Sequence, residues 1–134
     1  MKTMNPVVHF EMPYTDRKRL AKFYKDTFGW GMEYLGKDMM DYVLANTSGK
    51  DKNNRPTKPG NINGGFFPRK PDWPAQYPSV VIAVKNISAA MKKIKKSGGK
   101  VLGKPMVIPG NGKYVSFIDT EGNRVSIIEP SPMK

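Results

Sequence analysis

His9 and Glu11 are the two residues of this 134-residue chain whose types and spacing are best suited to chemistry. They lie two positions apart in the run VVHFEM, which is rich in β-forming residues. Successive side chains of a strand point to opposite faces, so His9 and Glu11 share one face, and Val8, Phe10 and Met12 take the other. Histidine titrates near neutral pH, and a neighbouring carboxylate raises its pKa. The pair therefore suits weak metal binding, substrate orientation or acid–base catalysis.

A structural role for the pair is also compatible with the sequence. A buried polar group needs a hydrogen-bond partner, and His9 would find one in Glu11 or in a serine of a polar-lined cavity. The chain has one histidine and no cysteine. Because a catalytic zinc ion usually takes three protein ligands from histidine, cysteine and carboxylates, only carboxylates could complete a metal site around His9.

Glu129 is the carboxylate that competes for this role from the last predicted strand, NRVSIIEP. If Val125 and Ile127 pack beneath a helix, alternation turns Ser126 and Ile128 to the opposite face. Glu129 then belongs with Val125 and Ile127, near the end of the strand and in solvent. A register shift of one residue would reverse this assignment, so Glu129 stays open as a metal ligand.

The composition indicates one compact cytoplasmic domain. The length is that of a typical single domain, and no apolar run approaches the roughly 20 residues needed to span a bilayer. The opening MKTMNPVVHFEMP has no apolar stretch of the kind found in signal peptides. The absence of cysteine excludes disulfides, thiolate ligands and a cysteine nucleophile.

Charge is the second signal of the composition. The chain has 23 Lys and Arg against 11 Asp and Glu, a formal net charge of +12, which favours anionic partners. The positive residues are scattered, and the lysines of the second predicted helix surround an apolar stripe, as expected of a solvated helix over a core. That stripe is Ile87, Ala90, Met91 and Ile94. The sequence does not favour nucleic acid as a partner, because it has no clustered stripe of basic and aromatic residues.

The order of predicted elements occurs twice. Residues 7–36 and residues 79–104 each predict a strand, a helix ending at glycine and a further strand, and more strand-like sequence follows each. Thr15 or Asp16 would cap the first helix, and Asn86 or Ser88 the second. We therefore predict a single domain over residues 1–134, with one module at 5–68, a linker at 69–77 and a second module at 78–131. Residues 47–61 predict a polar hairpin loop.

Other catalytic motifs are absent from the sequence. Gly60, Gly64 and Gly65 lack the context of a phosphate-binding loop. A serine triad assembled from His9 with Ser79 or Ser126 lacks the nucleophile-elbow sequence.

The segments HFEMPYTDRKRLAKFYKDTFGW and FIDTEGNRVSIIEP, set in two βαβββ units, make the chain resemble the vicinal oxygen chelate superfamily. This superfamily includes glyoxalase I, extradiol dioxygenases and bleomycin-resistance proteins. The resemblance covers nearly the whole chain and implies an α+β fold. In it, two modules form a cup-shaped, mostly antiparallel sheet with helices outside and the ligand inside. It also implies a homodimer.

The resemblance further implies four positions for a divalent metal ion, one each on the first and last strands of both modules. His9 falls on the first of them. Gly64-Gly65-Phe66, Ser79 and Ser126 stand where the other ligands would be. The resemblance therefore implies a family member that lacks most of the usual metal ligands, so we predict no metal cofactor.

The sequence thus predicts a protein that binds a small organic ligand, anionic or neutral, in the cup between its modules. The predicted ligand-binding residues are His9, Glu11, Ser79, Val81, Ser126 and Ile128. Two alternatives stay open. One is a metal-dependent lyase or dioxygenase of the same superfamily, with a divalent ion at His9 and either Glu11 or Glu129. The other is a weak nucleic-acid-binding module driven by positive charge.

Overall fold

The computed structural model describes residues 4–49, 51–52 and 57–131 and shows an α+β protein. Within these residues are two α-helices, α1 (Arg17–Phe28) and α2 (Ile87–Lys96). The eight strands are β1 (Val7–Tyr14), β2 (Gly31–Tyr34), β3 (Val43–Asn46), β4 (Asn63–Pro68), β5 (Ser79–Ala83), β6 (Lys100–Ile108), β7 (Gly112–Ile118) and β8 (Arg124–Pro130). The described chain divides into two compact units, one within His9–Pro78 and the other beginning at Ser79 and including residues 4–8.

The His9–Pro78 unit has the strand order β2-β3-β4-β1. Strands β2, β3 and β4 pair antiparallel, whereas β1 and β4 run parallel. One face of these strands packs against α1 through an aromatic core, in which the Tyr24 and Trp30 rings stack with centroids 4.8 Å apart. Phe10 and Met12 lie on this face, as the alternation of β1 predicts. His9 and Glu11 consequently occupy the opposite face.

Read from its first strand, the His9–Pro78 unit has the order β1-β4-β3-β2. The unit that begins at Ser79 repeats this order as β5-β8-β7-β6. Its β5 and β8 are parallel, and the other two pairs are antiparallel. The predicted apolar stripe of α2 packs on this core, together with Ile82, Val115 and Ile127. Lys92, Lys93, Lys95 and Lys96 are exposed. The prediction of a solvated basic helix over a core is confirmed.

Both helices begin at a side-chain cap among the predicted residues. Asp16 accepts a hydrogen bond from the Arg19 backbone N–H, and Asn86 accepts one from the Ala89 N–H. Helix α1 ends at Gly29, which has the left-handed conformation that glycine adopts most readily. No helix among the described residues is long and apolar enough to cross a membrane.

Part of the strand-like sequence that follows α1 does not form a strand. Residues 39–46 do not form one strand: a short 3₁₀ turn covers Lys37–Met39, and β3 begins only at Val43. Met40 and Asp41 have positive φ angles, because the chain reverses there. Tyr77, in the segment between the two repeats, is 71% exposed. The predicted loop at 47–61 lies partly outside the described residues.

Candidate functional site

Tyr42 joins His9 and Glu11 through its hydroxyl group. The Tyr42 hydroxyl donates to Glu11 Oε2 at 2.9 Å, and its oxygen lies 3.0 Å from His9 Nε2. Because the hydroxyl proton is used on Glu11, the oxygen accepts from an Nε2–H of His9. The two residues that the sequence placed on one face of β1 are therefore linked by a third residue, and not by a direct hydrogen bond.

Glycine at position 65 makes room for the Tyr42 ring. A Cβ added to Gly65 would lie 2.0 Å from that ring, which is closer than any real contact. Gly64 makes room for Phe10 on the opposite face in the same way, with the Phe10 ring 2.5 Å from an added Cβ. The glycine pair of β4 therefore accommodates one aromatic ring on each face of the strand.

A backbone contact fixes the turn that precedes Tyr42. The hydroxyl of Tyr14 donates to the carbonyl oxygen of Asp41 at 2.6 Å. Tyr14 is buried at the end of β1, so this bond ties the turn to the strand that carries His9 and Glu11. The position of Tyr42 thus depends on Tyr14 and Gly65, which are distant from it in sequence.

Burial sets the protonation state of His9. Loss of solvent around the imidazole lowers the pKa of His9 to about 4, because burial disfavours the charged form. The expectation from the sequence, that Glu11 would raise the pKa of His9, was wrong, because the loss of solvent around the ring lowers it. At neutral pH His9 is therefore a neutral imidazole with its proton on Nε2.

Asn63 is the register partner of His9 on β4 and is also buried, with 9% of its surface exposed. Parallel partners project to the same face, so its side chain lies on the face of His9 and Glu11. Its Oδ1 accepts hydrogen bonds from the backbone N–H groups of Thr47 and Ser48, at 2.8 and 3.2 Å. Its Nδ2 has no hydrogen-bond partner in the described part of the chain.

A separate cluster of hydroxyl groups lies in the other unit. Ser126 Oγ is 2.7 Å from the Tyr114 hydroxyl and 2.8 Å from Ser116 Oγ. Ser126 is 1% exposed, and Ser116 is also buried. Hydroxyl groups both donate and accept, so the cluster can satisfy itself internally. The sequence predicted Ser126 and missed Tyr114 and Ser116, which alternation along β7 places on the same face.

The remaining predicted site residues keep the faces that alternation assigned to them. Val81 is the register partner of Ser126, and Ile128 is the partner of Ala83. Ile82 and Ile127 pack on the α2 core, so Ser79, Val81, Ser126 and Ile128 share the opposite face of β5 and β8. Val81 is itself 2% exposed.

Glu129 has a structural contact that the sequence did not predict. Its Oε1 accepts a hydrogen bond from the Ile87 backbone N–H at 3.0 Å, at the first turn of α2. A carboxylate at a helix N-terminus satisfies an unpaired N–H group and favours the positive end of the helix dipole. Glu129 is partly buried, so the expectation that it lies in solvent was wrong. Its assignment to the helix side of β8 agrees with this contact.

An open cleft of about 340 Å³ lies at residues 4–6, 83–85 and 129–130. It contains none of the six predicted ligand-binding residues, and its carboxylate, Glu129, is already bonded to α2. The His9 face is the better candidate because it combines a titratable group, a buried carboxyl group and an unpaired donor.

The groups around His9 do not form a suitable set of ligands for a divalent ion. His9 Nε2 and Glu11 Oε2 both bond to Tyr42, and Asn63 Oδ1 bonds to backbone N–H groups. The remaining Asn63 group, Nδ2, carries N–H hydrogens and is a donor, so it does not coordinate a cation. Across residues 4–49, 51–52 and 57–131, no three His, Cys, Asp or Glu side chains are grouped closely enough to hold a metal ion.

A family model described as the Glyoxalase/Bleomycin resistance protein/Dioxygenase superfamily matches residues 7–127. The chain belongs to this superfamily. A relative in it, a glyoxylase-like domain-containing protein from Didymella fabae, is 32% identical over 120 residues, which cover 87% of this chain and 88% of that protein. The resemblance drawn from the sequence is confirmed.

Two solved structures have the same fold. Methylmalonyl-CoA epimerase from Mycobacterium tuberculosis matches with a TM-score of 0.66 and 14% identity, covering 98% of this chain and 94% of that one. A glyoxalase/bleomycin resistance protein/dioxygenase superfamily member from Vibrio splendidus matches with a TM-score of 0.60 and 13% identity, covering 94% and 99%. At these identities the likeness establishes the fold, and the predicted α+β class is confirmed.

Proposed function

We propose that this protein binds a small organic molecule, anionic or neutral, on the strand face that carries His9, Tyr42 and Glu11, without a resident divalent metal ion. The observation that carries the proposal is the hydrogen-bonded chain from His9 through Tyr42 to Glu11. A few convergent polar groups among apolar walls are the usual form of a small-molecule site.

The chain of hydrogen bonds defines what the face offers to a ligand. With its proton on Nε2, the neutral His9 imidazole leaves the Nδ1 lone pair as a hydrogen-bond acceptor or weak base. Tyr42 fixes the orientation of the ring, and Glu11 fixes the orientation of the Tyr42 hydroxyl. A ligand donor at Nδ1 would therefore meet a preorganised acceptor.

The proposal that no metal ion is bound rests on the hydrogen bonds that His9 and Glu11 already make with Tyr42. A divalent ion would have to displace Tyr42 from both His9 Nε2 and Glu11 Oε2. The predicted ligand-binding residues of the other unit, Ser79, Val81, Ser126 and Ile128, carry hydroxyl and apolar groups, none of which is a usual ligand of zinc. The rival is a metal-dependent lyase or dioxygenase, and metal analysis distinguishes the two.

The positive net charge favours an anionic ligand within this proposal, because a field of one sign raises the local concentration of ions of the other sign. One fold neighbour is a methylmalonyl-CoA epimerase in complex with methylmalonyl-CoA and NH4+. That molecule is a useful polyanionic probe here. The absence of cysteine is consistent with a cytoplasmic location, which cell fractionation tests.

The direct test is native mass spectrometry of protein purified from cells without a chelator, followed by thermal shifts with a panel of small acids, amides and methylmalonyl-CoA. The proposal expects a ligand that raises Tm in wild-type protein and fails to do so in Tyr42→Phe. Tyr77→Phe is the matched control, because Tyr77 is exposed. A ligand that stabilises all three proteins equally would contradict the assignment of the site.

A homodimer is part of the proposal. Strand β6 is the outer strand of its unit, and its Val107 and Met106 are 69% and 43% exposed. An exposed edge with apolar side chains is a surface that proteins often cover. Light scattering should give twice the chain mass, and a monomer mass across the micromolar range would contradict it.

A further inference from the structure

Resting on the proposed function, we propose that Asn63 selects the ligand by donating a hydrogen bond from Nδ2 to a carbonyl or carboxylate oxygen. The orientation of the Asn63 amide follows from its hydrogen bonds. Two backbone N–H groups, of Thr47 and Ser48, point at one atom of the amide. That atom must be the oxygen, because an NH₂ group there would face two donors. The NH₂ group therefore points away from residues 47–48.

The Asn63 NH₂ group is buried. Asn63 is 9% exposed, and its Nδ2 lacks a partner in the part of the chain that the structure describes. A buried donor without an acceptor is unfavourable, and native proteins seldom retain one unless water or a ligand satisfies it. The group that satisfies Nδ2 must be an acceptor.

The position of Asn63 connects this donor to the proposed site. Asn63 is the register partner of His9, on the adjacent parallel strand and on the same face. The side chains of Asn63 and His9 therefore lie on one face of neighbouring strands, and the Asn63 Nδ2 donor is buried there. A carboxylate, amide or ketone supplies the oxygen acceptor that Asn63 needs, whereas an amine does not. A site that requires a buried hydrogen bond rejects ligands that lack the matching group.

The test uses three probes of equal length that differ in one group. Propanoate and propanamide carry oxygen acceptors, and propylammonium carries donors only. Each is titrated into ¹⁵N-labelled full-length protein, and two sets of NMR signals are followed: the side-chain NH₂ pair of Asn63 and the ring C–H signals of His9, the one histidine of the chain. We expect propanoate and propanamide to shift both sets, and propylammonium to shift neither.

Asn63→Asp provides the matched variant, because it keeps an oxygen for Thr47 and Ser48 and replaces the NH₂ donor by an acceptor. Propanoate should bind at least tenfold more weakly to it. Asn61→Asp makes the same charge change at an exposed residue two positions away and should leave the affinity unchanged. If Asn63→Asp does not fold, the wild-type NH₂ signals still decide the matter.

The outcomes separate this inference from the proposed function. Shifts of the His9 signals without shifts of the Asn63 pair would retain the binding site and overturn the role of Asn63. An Asn63 NH₂ group that bonds only to an ordered water would not respond to propanoate. If saturating propanoate shifts the His9 signals and not the Asn63 pair, the role of Asn63 is overturned in this case too. If no probe or panel ligand moves either set, both the inference and the proposed function are wrong.

Discussion

The ring of Tyr42 lies against the Cα of Gly65, in space that any larger residue would fill. A Cβ at position 65 would be 2.0 Å from the ring. This contact sets the Tyr42 hydroxyl between His9 and Glu11, so one glycine on β4 determines the geometry of the hydrogen-bonded chain.

Gly65→Ala should displace Tyr42 and destabilise the protein by about 1 to 3 kcal/mol, the usual cost of overpacking. Gly31→Ala is the control, because its Cβ would meet Asn46 at an ordinary 3.7 Å. The free energy of unfolding from urea titration and the chemical shift of His9 measure the two effects. An unchanged His9 signal in Gly65→Ala would contradict the proposed dependence.

The pKa of His9 should be well below its ordinary value, at about 4, because burial disfavours the imidazolium ion. NMR titration of the ring signals reads this value without assignment ambiguity, since the chain has one histidine. A midpoint near 6.5 would show that the ring is solvated in the folded state.

The same shift predicts a pH dependence of stability. The unfolded chain protonates His9 near pH 6.5 and the folded chain near 4, so the unfolded state binds more protons between these values. Stability due to His9 is complete above pH 6.5 and is lost as the pH falls towards 4. The loss is on the order of 2 kcal/mol, since the ring keeps some contact with solvent. The difference between wild type and His9→Asn isolates it from carboxyl titrations.

His9→Ala and Ile127→Ala should differ strongly in stability. Ile127 is 3% exposed in the α2 core, so its truncation leaves a cavity and should cost about 2 to 5 kcal/mol. His9→Ala leaves the bond between Tyr42 and Glu11 in place and should cost less than about 2 kcal/mol. Thermal melts compare them, and equal losses of stability would make His9 a core residue.

Alternation along the strands explains how much of the site was predictable. Because side chains alternate between the two faces of a strand, the sequence alone placed His9 and Glu11 on one face. The same alternation placed Ser126 and Ile127 on opposite faces. Tyr42 was not predictable in this way, because it precedes β3 and is placed by a turn with two positive φ angles. A glycine pair inside a strand, Gly64-Gly65, was the available signal, since such glycines often mark the close approach of another group.

Glu129 and Asn63 show a second limit of the sequence. The role of Glu129 depends on the approach of α2 to the end of β8. The role of Asn63 depends on the direction of the backbone N–H groups at Thr47 and Ser48. Both contacts join residues far apart in the chain, so local pattern and charge do not reveal them. The helix caps Asp16 and Asn86, by contrast, act within three residues and were among the predicted candidates.

Divalent metals should bind weakly. Protein purified without a chelator should hold far less than one equivalent of zinc, nickel, iron or manganese. Adding these ions should barely change Tm, because an ion bound specifically to the folded state must stabilise it. Elemental analysis with thermal melts measures both quantities. One tightly held ion per chain would support the metal-dependent alternative.

Ligand affinity with and without metal tests the central claim most directly. Three proteins are treated with a chelator: wild type, Tyr42→Phe and Tyr77→Phe. Each is titrated, before and after addition of zinc, with the ligand found by native mass spectrometry. If none is found, the best ligand of the panel is used. We predict the same Kd for wild type and Tyr77→Phe with or without zinc, and a Kd at least tenfold higher for Tyr42→Phe. Binding that appears only when metal is added, or that is unchanged in Tyr42→Phe, would contradict a metal-free site built on His9, Tyr42 and Glu11.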